Sequence, residues 1–224
     1  MIYLHEPIIV KPGMVDEYVW AVGRYCVPGW TKYVSVAGAF KSYCHYNEAI
    51  FVWEYLAGAE GIDACGAYAL VDREGQAWQR LAEKYRENWH SQWVESVSFS
   101  PTVAEIKKRQ NKGDFVGNSI YYWELTKVSP GKVDEYLDLM EKELVPMEEK
   151  RGMKLGGCYR WFSGCGEPNE IRSFWSVKNW AHWGKILEER ARDRSFQRWM
   201  EKAISLRTEW SYTFWIPAEW SLLK

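Results

Sequence analysis

Charge of one sign is what this chain most plainly lacks. Its 224 residues set 29 Lys and Arg against 30 Asp and Glu, a formal charge of −1. Without a basic excess there is no electrostatic footprint for nucleic acid, and near neutrality gives no steering toward an ionic partner. The one basic run, KKRQNKGD, reads as a solvated linker. Long apolar runs are missing too: nothing approaches the roughly 18 residues of a spanning helix, so no membrane partner is expected. His5 and Glu6 stand where a signal peptide needs an apolar block, so a cytoplasmic protein is expected. Cysteine is scarce and odd in number (Cys26, Cys44, Cys65, Cys158, Cys165), which suits reduced thiols better than a disulfide framework. No CxxC pair, HExxH, P-loop, GxSxG or GxGxxG occurs, so neither a metal nor a cofactor is expected.

Aromatic residues are abundant. With 15 Trp, 14 Tyr and 8 Phe they make up 17% of the chain. Such a set builds an aromatic core, a ring-walled ligand pocket, or both.

The second positive feature is a repeat. Residues 2 to 28 and 120 to 146 align without a gap at an offset of 118, with 12 of 27 positions identical. The shared heart is Pro-Gly-x-Val-Asp-Glu-Tyr, Pro12 to Tyr18 and Pro130 to Tyr136. The reading is internal duplication, with one half at 1–101, a linker at 102–118 and a second half at 119–224.

Each half reads β-α-β-β-α-β. In the first, 2 to 10 is a strand and Pro12-Gly13 a turn. A helix spans about Met14 to Cys26, striped by Val15, Tyr18, Val19, Val22 and Cys26 and stopped at Pro28-Gly29. Strands follow at Tyr33 to His45 and Ala49 to Leu56. The glycine-rich 57 to 73 reads as a loop or short helix, Gln76 to Trp89 as a helix, and Val94 to Phe99 as the closing strand. In the second, strands are expected at Ile120 to Val128, Lys154 to Phe162, Ile171 to Val177 and Trp210 to Ile216, with a turn at Ser163 to Asn169. Helices are expected at Lys132 to Leu144, Trp180 to Arg192 and Phe196 to Arg207, the last capped by Asp193 or Ser195. This order predicts an α+β fold: two tandem ferredoxin-like units whose antiparallel sheets pack face to face as a pseudo-dimeric α/β barrel with a lumen.

The aromatic strand leading into a Pro-Gly-x-x-x-x-Tyr helix start resembles the NIPSNAP branch of the dimeric α/β-barrel superfamily. The run EERARDRSFQRWMEKA (188 to 203) is similar to that branch's charged helix, Asp, aromatic with Gln, and continuing helix. QAWQRLAEK (76 to 84) matches the same place, with Trp78 set against Phe196, while 57 to 73 departs from it. The resemblance implies the barrel fold and a broad set of activities: cofactor-free isomerases and lyases, small monooxygenases, haem binders and stress-responsive proteins. It carries no catalytic signature.

Strand parity nominates residues. Val10 and Val128 should meet helices, which turns Tyr3, His5, Tyr121 and Trp123 to the lumen. The copies part there, Leu4-His5 against Tyr122-Trp123. His5 and Glu6 are the candidate acid and base; Glu6 and its equivalent Glu124 interrupt apolar strands and need partners. Arg160 and Arg172, among strand aromatics, are candidates to hold an anionic or phenolate oxygen. Tyr3, Tyr43, His45, Trp53, Tyr121, Trp123, Trp161 and Trp175 are the expected ligand wall; His90 and His182 are expected on helix surfaces. The first reading is a cofactor-independent isomerase or lyase moving a proton on a small aromatic or hydrophobic molecule. The others are a non-catalytic binding or interaction protein, and a monooxygenase that is cofactor-free or haem-dependent, with His5 or His45 as axial ligand. A homodimer of the chain is a further expectation.

Overall fold

A computed structural model describes residues 1–115, 119–162 and 166–223. Val116 to Asn118 of the expected linker, and Ser163 to Cys165 of the expected turn, lie outside the described residues. The chain forms two compact units, Met1–Glu95 with Trp215–Lys224, and Ser96–Phe214.

In the first unit β1 (Ile2–Val10) alternates, and its even residues Leu4, Ile8 and Val10 enter the helix-side core. Gly13, at φ +80°, turns the chain as only glycine does cheaply, and Gly131 at φ +75° does so in the second unit. The helix begins at α1 (Val15–Ala21), widens into a π-helical turn at Val22–Cys26, and resumes as α2 (Val27–Trp30). It therefore runs past Pro28, where a stop was expected. A proline lacks the N–H that an α-turn would use and crowds the carbonyl four residues back; the wider turn before it removes both conflicts. β2 (Val34–Ser42) and β3 (Glu48–Tyr55) follow, with a bulge between Val36 and Gly38. The Phe40 ring lies across Gly38, where a Cβ would come within 2.4 Å of it.

Residues 57 to 73 carry a twelve-residue helix, α3 (Ala59–Leu70). Gly61 acts as contact surface rather than a breaker: a Cβ there would already touch the Tyr55 ring at 3.2 Å. α4 (Arg73–Ala82) is capped by the Asp72 carboxylate, which accepts from the Glu74 and Gly75 amides. The expected helix tail is a strand instead, β4 (Arg86–Trp89), and His90 follows it rather than riding a helix; β5 (Gln92–Ser96) comes next. β1 pairs antiparallel with β3 on one side and with β4 and β5 on the other, so the order is β2-β3-β1-β4/β5. Residues 215–217 pair with β2.

In the second unit part of the expected linker is a helix, α5 (Val103–Gln110). Thr102 and Glu105 form a reciprocal capping box, and Val103 and Ile106 are buried. Then come β6 (Ile120–Val128), α6 (Val133–Leu139), a π-helical turn at Met140–Leu144 and α7 (Val145–Lys150). β1, α1 and the π-helical turn thus recur 118 residues on, and Pro146 again follows the widened turn. β7 (Lys154–Trp161), β8 (Glu170–Val177), α8 (Trp180–Arg192), α9 (Arg194–Leu206) and β9 (Arg207–Pro217) complete the chain. The order is β7-β8-β6-β9. Asp193 caps α9, accepting from the Ser195 and Phe196 amides as Asp72 does for α4. Among the described residues no helix is long and apolar enough to cross a membrane.

Candidate functional site

Tyr122, Glu124 and Val128 share the face of β6 turned to its helices, because alternate strand residues face the same way. Above that face, within the second unit, lies a cavity of about 430 Å³. Its floor is Tyr122, Glu124 and Trp175; α8 and α9 supply Arg190, Phe196, Trp199 and Met200; β9 closes it with Arg207 and Trp210. Five of its fourteen lining residues are aromatic, which suits a flat apolar molecule.

Glu124 is buried and its carboxylate is fully engaged. Oε1 accepts from the Tyr122 hydroxyl (3.2 Å) and the Trp210 indole (3.1 Å), Oε2 from Ser173 Oγ (3.0 Å) and the Trp175 indole (3.2 Å). A buried carboxylate survives on such donors. A second carboxylate, Glu148 on α7, is fully buried. Its Oε1 accepts from Arg151 (2.9 Å) and from Arg190 Nε (3.1 Å); its Oε2 lies 3.1 Å from Arg190 Nη2 as an ion pair without hydrogen-bond alignment, while Arg151 also pairs with Asp193. Arg190 lies over the Trp183 and Phe196 rings, 5.1 and 5.0 Å from their centroids. Arg207 donates to the Tyr136 hydroxyl and lies over Tyr136, Trp199 and Trp210.

The first unit carries the same constellation, differently finished. Glu6 accepts from Trp53 (2.7 Å) and Trp89 (3.0 Å), as Glu124 does from Trp175 and Trp210. Arg86 donates to Tyr18 and lies over Tyr18, Trp78 and Trp89, as Arg207 does over Tyr136, Trp199 and Trp210. The two cap aspartates stand 121 residues apart, and Gln76 and Gln197 donate to Leu70 O and Ala191 O at that spacing. This register matches Trp78 with Trp199, so Phe196 answers to Gly75, correcting the pairing of Trp78 with Phe196. Leu4 and Phe51 replace Tyr122 and Ser173, and Trp30 replaces Glu148. Trp30 and Trp220 stack on Trp53 at 6.0 and 6.4 Å, putting indole where the second unit has its ion pair.

Of the residues nominated from sequence, Trp175 lines the cavity, and Glu124 is the equivalent of nominated Glu6. Glu6 and Trp53 hydrogen-bond to each other in the first unit's helix-side core. Tyr3, His5, Tyr121 and Trp123 point the other way from their strands and are buried. Tyr3 donates to Glu54, and Trp123 stacks on Phe174 at 5.2 Å. Adjacent on one strand, His5 and Glu6 face opposite sides and form no pair. Arg172 is neutralised by Glu170 (Nε 2.8 Å) and stacked on Trp161 (4.7 Å), whose indole donates to the same carboxylate. Arg160 is exposed and 3.6 Å from Asp134. His45 Nδ1 contacts a Glu48 carboxylate oxygen at 2.9 Å in an exposed turn beside exposed Tyr43. His182 sits on α8 and contacts Arg151 O at 2.7 Å. Arg190, Glu148, Arg207 and Trp199 were missed; comparing the copies at the second offset, 121, would have found the pair Arg86 and Arg207. Among the described residues no group of three His, Cys, Asp or Glu could hold a metal, and Cys26, Cys44, Cys65 and Cys158 are free thiols.

Burial and the Glu124 charge push the Tyr122 phenol upward; burial carries Tyr136 to about 12, against the opposing pull of Arg207. Both favour the neutral phenol in the fold, so their contribution to stability is intact below about pH 10, the unfolded value, and is lost as pH rises through the folded one. Denaturation midpoints in urea are therefore expected to fall from about pH 10 upward. A midpoint that stays level from about pH 10 to about 12 would contradict this.

Residues 126–222 match the family described as NIPSNAP. None of the curated proteins matches the chain. A proposed monooxygenase from Lactobacillus acidophilus NCFM is 9% identical, with 96% of this chain and 93% of that one covered at a TM-score of 0.65. One from Fusobacterium nucleatum subsp. nucleatum is 12% identical (100% and 92%, TM-score 0.63). An anthrone oxidase-like protein is 7% identical (97% and 91%, TM-score 0.64). At such identities the likeness establishes a shared α+β fold and nothing about activity.

Proposed function

We propose that the protein is a cofactor-independent enzyme, an isomerase or lyase, that moves a proton on a small planar molecule held in the second unit's cavity. The chain is read as a tandem duplication of a ferredoxin-like unit. Its first copy keeps the scaffold and its second does the chemistry; the recurrence of β1, α1 and the π-helical turn at one offset supports this.

One observation carries the reading: a buried carboxylate, Glu124, in hydrogen-bond contact with a phenol, Tyr122, at the floor of an aromatic cavity. Rings of Trp175, Trp199 and Trp210 would stack on the molecule. Glu124 would take a proton from an acidic C–H, directly or through the Tyr122 hydroxyl, and return it at another atom, a redox-neutral step. A second reading, oxygenation of the deprotonated molecule by dioxygen, draws only on the fold shared with proteins described as monooxygenases.

The test is solvent-deuterium exchange into 2-tetralone, an enolisable planar ketone, followed by proton NMR. The wild type is expected to accelerate exchange, and Glu124→Gln to lose about a hundredfold of that acceleration, the lower range for an acid–base group. Equal exchange by Glu124→Gln and wild type would remove Glu124 from the chemistry. Binding with no acceleration would leave a binding protein, and dioxygen uptake would favour the second reading.

A further inference from the structure

Arg86 and Arg207 occupy equivalent places, and their donors are spent differently. In the first unit Arg86 gives Nε to Tyr18 (2.8 Å) and Nη1 to the Gln79 side-chain carbonyl (3.0 Å). In the second, Arg207 gives Nε and Nη2 to Tyr136 (2.9 and 2.5 Å), and Nη1 meets only the Met200 thioether at 3.9 Å. Met200 stands at the position of Gln79, 121 residues on. One side-chain difference thus removes the internal acceptor from the guanidinium that lines the cavity. Arg207 has no carboxylate within ion-pair distance among the described residues, whereas Arg190 beside it is matched by Glu148. A guanidinium has five N–H donors, so several of Arg207's remain for a ligand.

Trp199 adds a further donor. It lines the cavity, is 2% exposed, and its indole N–H is buried with no acceptor among the described residues. The cavity's acceptors are in the opposite condition: both oxygens of Glu124 accept hydrogen bonds, and Glu148, whose Oε2 accepts none, is neutralised through both oxygens by the Arg190 guanidinium. Unspent donors beside engaged acceptors select a ligand whose polar end accepts.

We infer that the cavity takes an aromatic or apolar monoanion whose anionic oxygen, a carboxylate or a phenolate, is held by Arg207 and the Trp199 indole N–H. This rests on the cavity being the binding site and names the class of molecule it takes. Gln79 in the first unit is the internal counterpart of that oxygen, a neutral acceptor built into the chain.

The experiment is calorimetric titration with two probes of matched shape, 2-naphthoate and the uncharged 2-naphthylmethanol, against four proteins. The wild type is expected to bind 2-naphthoate at least about tenfold more tightly, the scale of a charge-assisted hydrogen bond. Met200→Gln gives Arg207 the acceptor that Arg86 has. It should erase most of that preference, read as the ratio of the two affinities. Arg207→Met should erase it too, and Gln79→Met should have no effect. Met200→Gln keeps the arginine and its ring stacking, so it tests the idea even if Arg207→Met folds poorly. Equal binding of the two probes by the wild type, or an undiminished preference in Met200→Gln, overturns the anion assignment and leaves the cavity reading standing. Binding of neither probe overturns the cavity reading and this inference with it.

Discussion

Glu148→Leu is expected to cost about 3–5 kcal/mol of folding stability, the penalty for removing one partner from a buried ion pair. Glu148 is fully buried and is the only carboxylate contacting Arg190 among the described residues; the Arg190 side chain is 14% exposed and that of Arg151 7%. Without it, Arg190 keeps its rings and the Met153 sulfur (3.5 Å), neither of which neutralises a buried cation, while Arg151 retains Asp193. The neighbouring Glu149→Leu is the control. Its contact is a half-exposed one with Arg109 at 3.4 Å, and it should move stability by less than about 1 kcal/mol. Urea denaturation of both variants checks this. Pairing Glu148→Leu with Arg190→Met should recover much of the loss, since an apolar replacement of both partners leaves no stranded charge. If Glu148→Leu costs no more than Glu149→Leu, the cluster is not the structural element described.

Gly75→Ala is the second large effect, from sterics alone. A Cβ at Gly75 would stand 2.0 Å from the Tyr68 carbonyl oxygen and 3.2 Å from Ala69 Cα, both backbone atoms that cannot rotate away. α3 and α4 would have to separate, so a cost at or above the upper end of the ~1–3 kcal/mol typical of overpacking is expected. Gly66→Ala, with nothing within 4 Å of its Cβ, should be neutral or slightly stabilising through helix propensity. A urea midpoint for Gly75→Ala equal to that of Gly66→Ala would show that the helix pair yields easily. The same position explains why the cavity belongs to the second unit. Phe196 replaces Gly75 there and lines the open space, whereas in the first unit helix backbones meet.

Strand existence and parity were legible because period-2 patterning is local. Leu4, Ile8 and Val10 sit in the helix-side core as read, and the lengths of β6 and α8 are those expected. What was not legible depended on contacts distant in sequence. Gly58, Gly61 and Gly66 signal a loop until Tyr55 is known to pack on Gly61. Lys107 to Arg109 signal solvent although Val103 and Ile106 anchor their helix. Arg86 belongs by composition to the preceding helix, yet pairs in β4 with Val10. The site shows the same division. Parity separated the faces of β1 and β6 and the repeat located their differences, but the sequence offered His5 and Glu6 together as acid and base although they stand on opposite faces. The ionic and aromatic cavity lies on the face of Glu124. Neither Arg190 nor Glu148 stands out by type; only the fold brings them within 3.1 Å.

The widened turns at Val22–Cys26 and Met140–Leu144 also govern angular phase. In a regular α-helix, side chains four residues apart drift about 40° around the axis per step, so a row of four such residues sweeps about 120°. Yet Tyr18, Val22, Cys26 and Trp30 are all buried, as are Tyr136, Met140, Leu144 and Glu148. The π-helical turn takes in an extra residue and winds the drift back, so each helix holds a straight four-residue rule over its length. The last place in that row is the one at which the copies exchange function. The same phasing that sends Trp30 into a filled core delivers Glu148, and with it Arg190, to the edge of an open one.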